Sequence, residues 1–478
     1  MSSKTRTPLQ GGLAADVRRR LERRLGSALR RARSDGRTVL VSASWPLTGS
    51  HDPSAIVAGA RRPGQPWFCF EQPDRDGFAL AALGCVTELR AAGADRFARV
   101  SAQWRELVAR AEADSASGPP GSGLTAVGGF AFAPDGGAAP AWDGFAAASL
   151  IVPELTLVRR AGQTWLTVNA EVAGDDLAED VVDRLERRVA GLRAAALPLL
   201  DPAPTGRHAV ASPMPPAHFE AAVAGAVKRI RGGEMEKIVL AREVEVHAPN
   251  NHDAAAVFGV LREANASSFV FAVGRGDATF VGATPELLVR REGQRATTVA
   301  LAGSTRRSAD PAVDDHLGEA LLRSEKDREE NAIVARRIAR ALRPHSVWVT
   351  AAPEPVVVRV ANIQHLACPI RAQLATPLGA IELVAQLHPT PAVGAEPSSA
   401  LGLIPALEGL DRGWYAGPVG WTDGGGDGEF CVALRSALLR GRIARCYAGC
   451  GIVADSEPAA ELAESELKLG VMLPALVG

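Results

Sequence analysis

Val17, Leu21, Leu25 and Leu29 recur every four residues among arginines, which predicts an amphipathic helix with a basic outer face. Apolar runs then predict a strand over residues 38–44 and a helix over 96–112. Runs at 149–158 and 164–168 flank Arg-Arg-Ala-Gly and read as a hairpin. Residues 115–144, rich in Gly, Pro, Ala and Ser, read as loop with a short apolar insert, Gly128-Gly-Phe-Ala-Phe132. Five prolines in the sixteen positions 201–216 exclude regular structure there, dividing the chain into residues 1–200, a connection 201–216 and residues 217–478. Beyond that break, Phe219, Val223, Ala226 and Ile230 mark a helix that stops at Gly232-Gly233, and a strand over 236–246 follows at once. Further strands are predicted at 268–273, 347–350, 356–360 and 430–434, and helices at 314–342, 379–387 and 458–473.

Composition adds few constraints. With 478 residues, 47% of them hydrophobic and 22% charged, the chain can bury a large core and disorder is not expected. Fifty-three Lys plus Arg balance 54 Asp plus Glu, so no overall field favours nucleic acid or an anionic membrane. The basic helix could touch either, but arginine stems covering the flanks of a packed helix are the commoner arrangement. The six cysteines form neither a CxxC pair nor a close-packed framework and read as reduced thiols. No apolar run approaches the roughly 18–20 residues of a membrane span. A soluble cytoplasmic protein is expected.

Chemistry concentrates after residue 216. Asp327 and Glu330 share a helix face, and Glu461 and Glu464 repeat that spacing with Lys468 a turn further on. Four carboxylates on two helices could hold a hard cation such as Mg²⁺, or could be solvated faces with ordinary ion pairs. Lys237 lies in an apolar strand, Glu236-Lys-Ile-Val-Leu-Ala-Arg242, either desolvated enough to act as a base or with its head in solvent. Glu286 follows a proline between apolar stretches, where burial would make a general acid and a helix start would make a cap. Arg435, in what reads as an apolar strand, needs an anionic partner. The glycine-rich segments Leu301-Ala-Gly-Ser-Thr305, Tyr447-Ala-Gly-Cys-Gly-Ile452 and the Tyr415 segment could offer backbone amides to an anion or could be tight turns. For His365 and His388 the default is a core imidazole bonded to backbone.

In this order the segments resemble the chorismate-utilising enzymes, which include isochorismate, salicylate, anthranilate and aminodeoxychorismate synthases. The resemblance covers residues 219–473 and, more loosely, the N-terminal half through Gly-Gly-Phe-Ala-Phe. It implies an α+β fold, large mainly antiparallel sheets flanked by helices. Lys237 matches the lysine that water-adding members use as base. The lysine nucleophile of aminodeoxychorismate synthases is absent, because Ala302 stands there. His388-Pro-Thr-Pro-Ala-Val-Gly394 has the form typical of isochorismate-forming members, so isochorismate is favoured over salicylate as product.

The resemblance further implies Glu286 as general acid. Glu330 and Glu464 would be Mg²⁺ ligands, with Asp327 and Glu461 close behind. Arg435, Tyr415 and the amide of Gly451 would hold the pyruvyl carboxylate, Gly449 and His365 would line the substrate, and Gly303, Ser304 and Lys468 would fix the ring carboxylate. Chorismate is the implied partner; no nucleic acid, membrane or glutaminase subunit is expected, and a monomer is. The competing expectations are a salicylate synthase and a non-catalytic small-molecule binder on the same fold. The route leans toward salicylate or siderophore synthesis.

Overall fold

The computed structural model describes residues 13–114, 117–201, 206–360 and 362–477. Parts of the 115–144 segment and of the proline-rich connection therefore lie outside the described residues, as does the polar N-terminus.

Strands are assembled into two large sheets, one of thirteen strands and one of ten, and every pairing is antiparallel except that of Val39–Leu47 with the short strand Glu112–Ala113. Both halves of the sequence contribute to both sheets. Gly64–Gln72 pairs with Phe269–Gly276 in the larger sheet, and Thr125–Phe130 pairs with Pro418–Asp423 in the smaller. Helices cover the outer faces.

The strands read as unbroken apolar runs because both faces are covered. In Gly64–Gln72, Phe68 and Phe70 enter the core between the sheets, while Trp67 and Cys69 point to a second core under the outer helices. The basic helix, Ala15–Asp35, packs its Val17, Leu21, Leu25 and Leu29 stripe into that second core. Arg18 and Arg24 are spent on Glu186 and Asp114. Its role is structural packing.

Several expectations are corrected. The apolar insert at 128–132 belongs to a buried strand, Thr125–Phe130, rather than to a loop. Its glycines permit close packing: a Cβ on Gly129 would meet the Trp414 ring at 2.6 Å. The run 149–158 is not one strand of a hairpin. It breaks at Pro153, so that Ala148–Val152 joins the smaller sheet and Leu155–Arg160 pairs with Gln163–Val172 in the larger. The proline-rich connection contains one short strand, Ala209–Ala211, on the edge of the larger sheet.

The helix expected over 314–342 is two, Pro311–Arg323 and Glu325–Leu342. They are divided at Ser324, whose hydroxyl accepts the Asp327 N–H as an N-cap. The strand expected at 430–434 ends at Val432. Finally, 301–305 and 447–452 are not loops but the ends of the long strands Arg295–Arg306 and Ile443–Ile452.

Candidate active site

A single cavity gathers most of the site residues inferred from sequence. Glu286, Gly303, Ser304, Asp327, Glu330, His365, Tyr415, Arg435, Gly449, Gly451, Glu461, Glu464 and Lys468 all line it. Lys237 borders it through Glu330 and Gly451: its Nζ donates to Glu330 Oε1 at 2.7 Å, and it is fully buried. Of the two arrangements open for this lysine, a solvated head is excluded.

The strand Lys237–His247 places Lys237 beside Gly451, because Val239 is the register partner of Gly451 on Ile443–Ile452. A Cβ on Gly451 would lie 2.5 Å from Glu330 Oε1 and 2.8 Å from Lys237 Cε. Gly451→Ala must therefore push the lysine–glutamate pair aside, an overpacking change that costs about 1–3 kcal/mol. The expected result is at least a tenfold fall in kcat/KM with a shift in melting temperature of only a few degrees, checked by steady-state assay beside calorimetry. Gly303 sits where the register of Arg295–Arg306 against Ile363–Leu374 shifts, with φ +79°, and its missing Cβ leaves room for Asp327. The bulge brings Ser304 onto Glu464, its Oγ donating to Oε1 at 3.0 Å.

Glu286 lies between Ala278–Thr284 and Leu287–Glu292, so it caps no helix. Burial pushes its pKa up to about 7, against the opposing fields of Lys237 and Arg435. Arg435 adopts φ +47° in the link after Val432, and this turn carries the guanidinium into the cavity instead of across a sheet. Its Nη2 donates to His365 Nε2 at 3.2 Å, while His365 Nδ1 donates to the Gly303 carbonyl at 3.3 Å. Burial and then the charge of Arg435 depress His365 to about 3, so the imidazole is neutral and orients the guanidinium. Tyr415 is buried in the same wall, its hydroxyl pushed up to about 12 by desolvation.

At the opposite end stand the four carboxylates. Glu464 is half-buried, and Lys468, whose Nζ is 2.6 Å away, takes its pKa down to about 2 against the effect of desolvation. Lys468 also donates to the Gly449 carbonyl at 2.9 Å. Burial, and then Glu464, raise Glu461; burial raises Asp327, with Glu330 adding to it. Ser456 and Ser324 donate to these last two.

Among the described residues one cluster with metal-ligand spacing stands out, Cys450, Glu461 and Glu464, their ligand atoms within 4.8 Å of one another. Burial pushes the Cys450 thiol above its usual range, and the thiol donates to the Glu461 carbonyl, so it is not available to a hard cation. What remains is an all-oxygen donor set, the chemistry that suits a hard divalent cation such as Mg²⁺, with Lys468 against Glu464 and Lys326 3.7 Å from Glu461. Glu330 and Asp327 line the same end, although here Glu330 is held by Lys237.

His388 is remote from this chemistry: its Nε2 donates to the Phe132 carbonyl at 3.1 Å. Ala392 and Val393 from its loop do line the cavity. Sequence reading passed over the residue that holds them. Arg412, buried in the same wall, donates to the carbonyls of Val393 at 2.8 Å and Val239 at 2.9 Å and is ion-paired with Glu408. Its signal was available, since Asp411-Arg-Gly precedes Tyr415 between apolar stretches and a buried guanidinium needs partners.

The sequence profile of the family described as "Chorismate binding enzyme" matches residues 27–477. The salicylate biosynthesis isochorismate synthase of Pseudomonas aeruginosa is 40% identical over 457 residues, spanning 94% of this chain and 92% of that one. The isochorismate synthase MenF of Bacillus subtilis is 33% identical and is aligned over 98% of this chain and 99% of its own length. Among solved structures, the menaquinone-specific isochorismate synthase MenF of Escherichia coli superposes with a TM-score of 0.75 at 27% identity, covering 95% of this chain and 100% of that one. Anthranilate synthase component I of Streptococcus pneumoniae shares the fold at a TM-score of 0.66 and 20% identity, over 83% of this chain and 92% of its own.

Proposed function

This chain belongs to the chorismate-binding enzyme family, and from that membership and the cavity's geometry we propose that it is an isochorismate synthase, interconverting chorismate and isochorismate. One observation carries the reading: a single cavity brings together an amine, a carboxyl group poised near neutrality and two ends of opposite charge. A small dicarboxylate suits such a cavity. Its pyruvyl carboxylate would meet Arg435, with the Tyr415 hydroxyl and the Gly451 N–H beside it, and its ring carboxylate would lie toward Glu330, Glu464 and Lys468.

Mg²⁺, held by Glu330 and Glu464 with Asp327 and Glu461 behind, would supply the positive charge that neutralises the ring carboxylate at this acidic end. Lys237, released from Glu330 and in its neutral amine form, takes a proton from a water that attacks ring carbon 2. The ring double bonds shift, the carbon 4–oxygen bond breaks, and Glu286 delivers its proton to the departing hydroxyl. One water enters and one leaves. Burial keeps Glu286 in its acid form toward neutral pH, Lys237 supplies the amine on the other side, and the clamps at the two ends hold the ring between them. The resemblance to the Pseudomonas relative supports a product that feeds salicylate or siderophore synthesis.

The test is an incubation of purified protein with chorismate, after EDTA treatment and after Mg²⁺ is restored, with chromatography of the products. Isochorismate is expected only with Mg²⁺, the EDTA-treated protein retaining under about one hundredth of the rate, within the range a cation clamp contributes. Salicylate with pyruvate would move the activity to isochorismate formation followed by elimination. Unchanged chorismate with Mg²⁺ present would overturn the reading.

A further inference from the structure

A second cavity backs onto the catalytic one. They share a wall: Val239 and Arg412 line the first, Ala241 and Glu408 the second, and Arg412 and Glu408 are ion-paired. The second cavity's surface is mainly apolar, supplied by Trp142, Met214, Phe219, Leu240, Leu407 and Leu410. Trp142 presents a flat aromatic side chain, itself stacked on Tyr447 with ring centroids 5.8 Å apart.

The polar groups in this cavity divide sharply. Asp411 accepts the N–H groups of Gly137, Ala139 and Gly413. Glu408 is committed to Arg412 and to the Ala241 N–H, and His218 donates to the Glu408 carbonyl. Glu243 lies 3.4 Å from Arg445. Arg242 differs from all of these. Among the described residues its guanidinium donates only to two serine hydroxyls, Ser465 at 3.2 Å and Ser212 at 3.1 Å, and its carboxylate neighbour Glu466 is 3.9 Å away with a side chain 62% exposed. With its own side chain 9% exposed, Arg242 is a desolvated cation whose hydrogen-bonding partners carry no charge. A guanidinium in that position favours a planar anion that can accept two parallel N–H bonds.

From this pairing of an aromatic, apolar chamber with one under-neutralised arginine, we propose that the cavity is a second ligand site, distinct from the catalytic one, for a small aromatic monocarboxylate. The ring lies against Trp142 and Phe219 and the carboxylate meets Arg242. The site does not depend on the reaction assigned to the neighbouring cavity.

The probe is 2-naphthoate, titrated into the full-length protein by calorimetry, with 2-naphthamide as its uncharged counterpart. Naphthoate is expected to bind with one site outside the catalytic cavity and at least tenfold more tightly than the amide. Arg242→Met should weaken it at least tenfold. Ala222→Phe, which fills the chamber from the helix Pro216–Arg231 and leaves Arg242 untouched, should do the same. Arg435→Gln, in the catalytic cavity, should leave this site's affinity unchanged. Absence of binding would overturn the proposal. Equal binding of the amide, or binding lost in Arg435→Gln and kept in Ala222→Phe, would overturn it too. The amide comparison needs no variant, so a poorly folded Arg242→Met protein does not protect the idea.

Discussion

Lys237→Ala is expected to lower isochorismate formation by about 10²–10⁴-fold, the usual contribution of a positioned general base. Lys237 is the amine next to the cavity from the strand side, fully buried, and fixed beside Gly451 by the antiparallel register of its strand. Its removal also leaves Glu330 without the Lys237 Nζ 2.7 Å away. The metal-free variant should therefore be less stable, by a few kcal/mol at most, because Glu330 still faces the cavity. Mg²⁺ should recover part of that loss by neutralising the freed carboxylate. The combined pattern, lost turnover with metal binding retained or improved, separates a missing base from a collapsed site. Melting curves with and without Mg²⁺, taken beside the product assay, read both. Unimpaired turnover would place the base elsewhere.

Glu286→Gln should be equally severe in turnover, about 10²–10⁴-fold, because the amide keeps the shape but offers no acidic proton. The pH behaviour gives a second handle. The Glu286 pKa is raised from 4.5 to about 7 in the folded protein, mainly by burial. Catalysis requires the acid form, so the wild-type kcat/KM should decline as pH rises through about 7. Stability has the same sign. A carboxyl whose folded pKa exceeds its unfolded value contributes stability that is complete below about 4.5 and is lost as pH climbs through about 7. The loss is on the order of 3 kcal/mol for a shift of this size. Metal-free wild type should lose that increment between pH 4.5 and 8 by denaturant titration, while Glu286→Gln should not. A variant with the same pH slope as wild type would remove Glu286 from this role.

The sequence was most informative where one residue's chemistry clashed with its neighbours. Lys237 in an apolar strand, Arg435 among Phe-Cys-Val-Ala-Leu and the paired carboxylates stood out for that reason, and the order of these segments carried the family resemblance. The N-terminal helix was equally legible, since only one of its faces is buried. Strands with both faces covered left no alternation to read. Residues 64–72 and 78–83 accordingly passed without assignment, as did the short helix 53–60 and the short strand 87–91, and Thr125–Phe130 passed as loop because its glycines, there to admit Trp414 and the neighbouring strand, look like turn residues. Breaks inside runs were hidden for a similar reason. Ser324 interrupts a helical pattern by capping the next helix, which makes no dent in apolar periodicity. The positive φ of Arg435 was also invisible, although it is what turns the guanidinium toward the cavity.

The proposed mechanism makes solvent water, deprotonated in this cavity, the new ring hydroxyl. It is tested most directly by running the reaction from chorismate in ¹⁸O-labelled water and reading the isochorismate by mass spectrometry at low conversion. The expected product is isochorismate carrying one ¹⁸O at carbon 2. Unlabelled isochorismate would mean that the hydroxyl migrates within the molecule, which contradicts the roles given to Lys237 and Glu286.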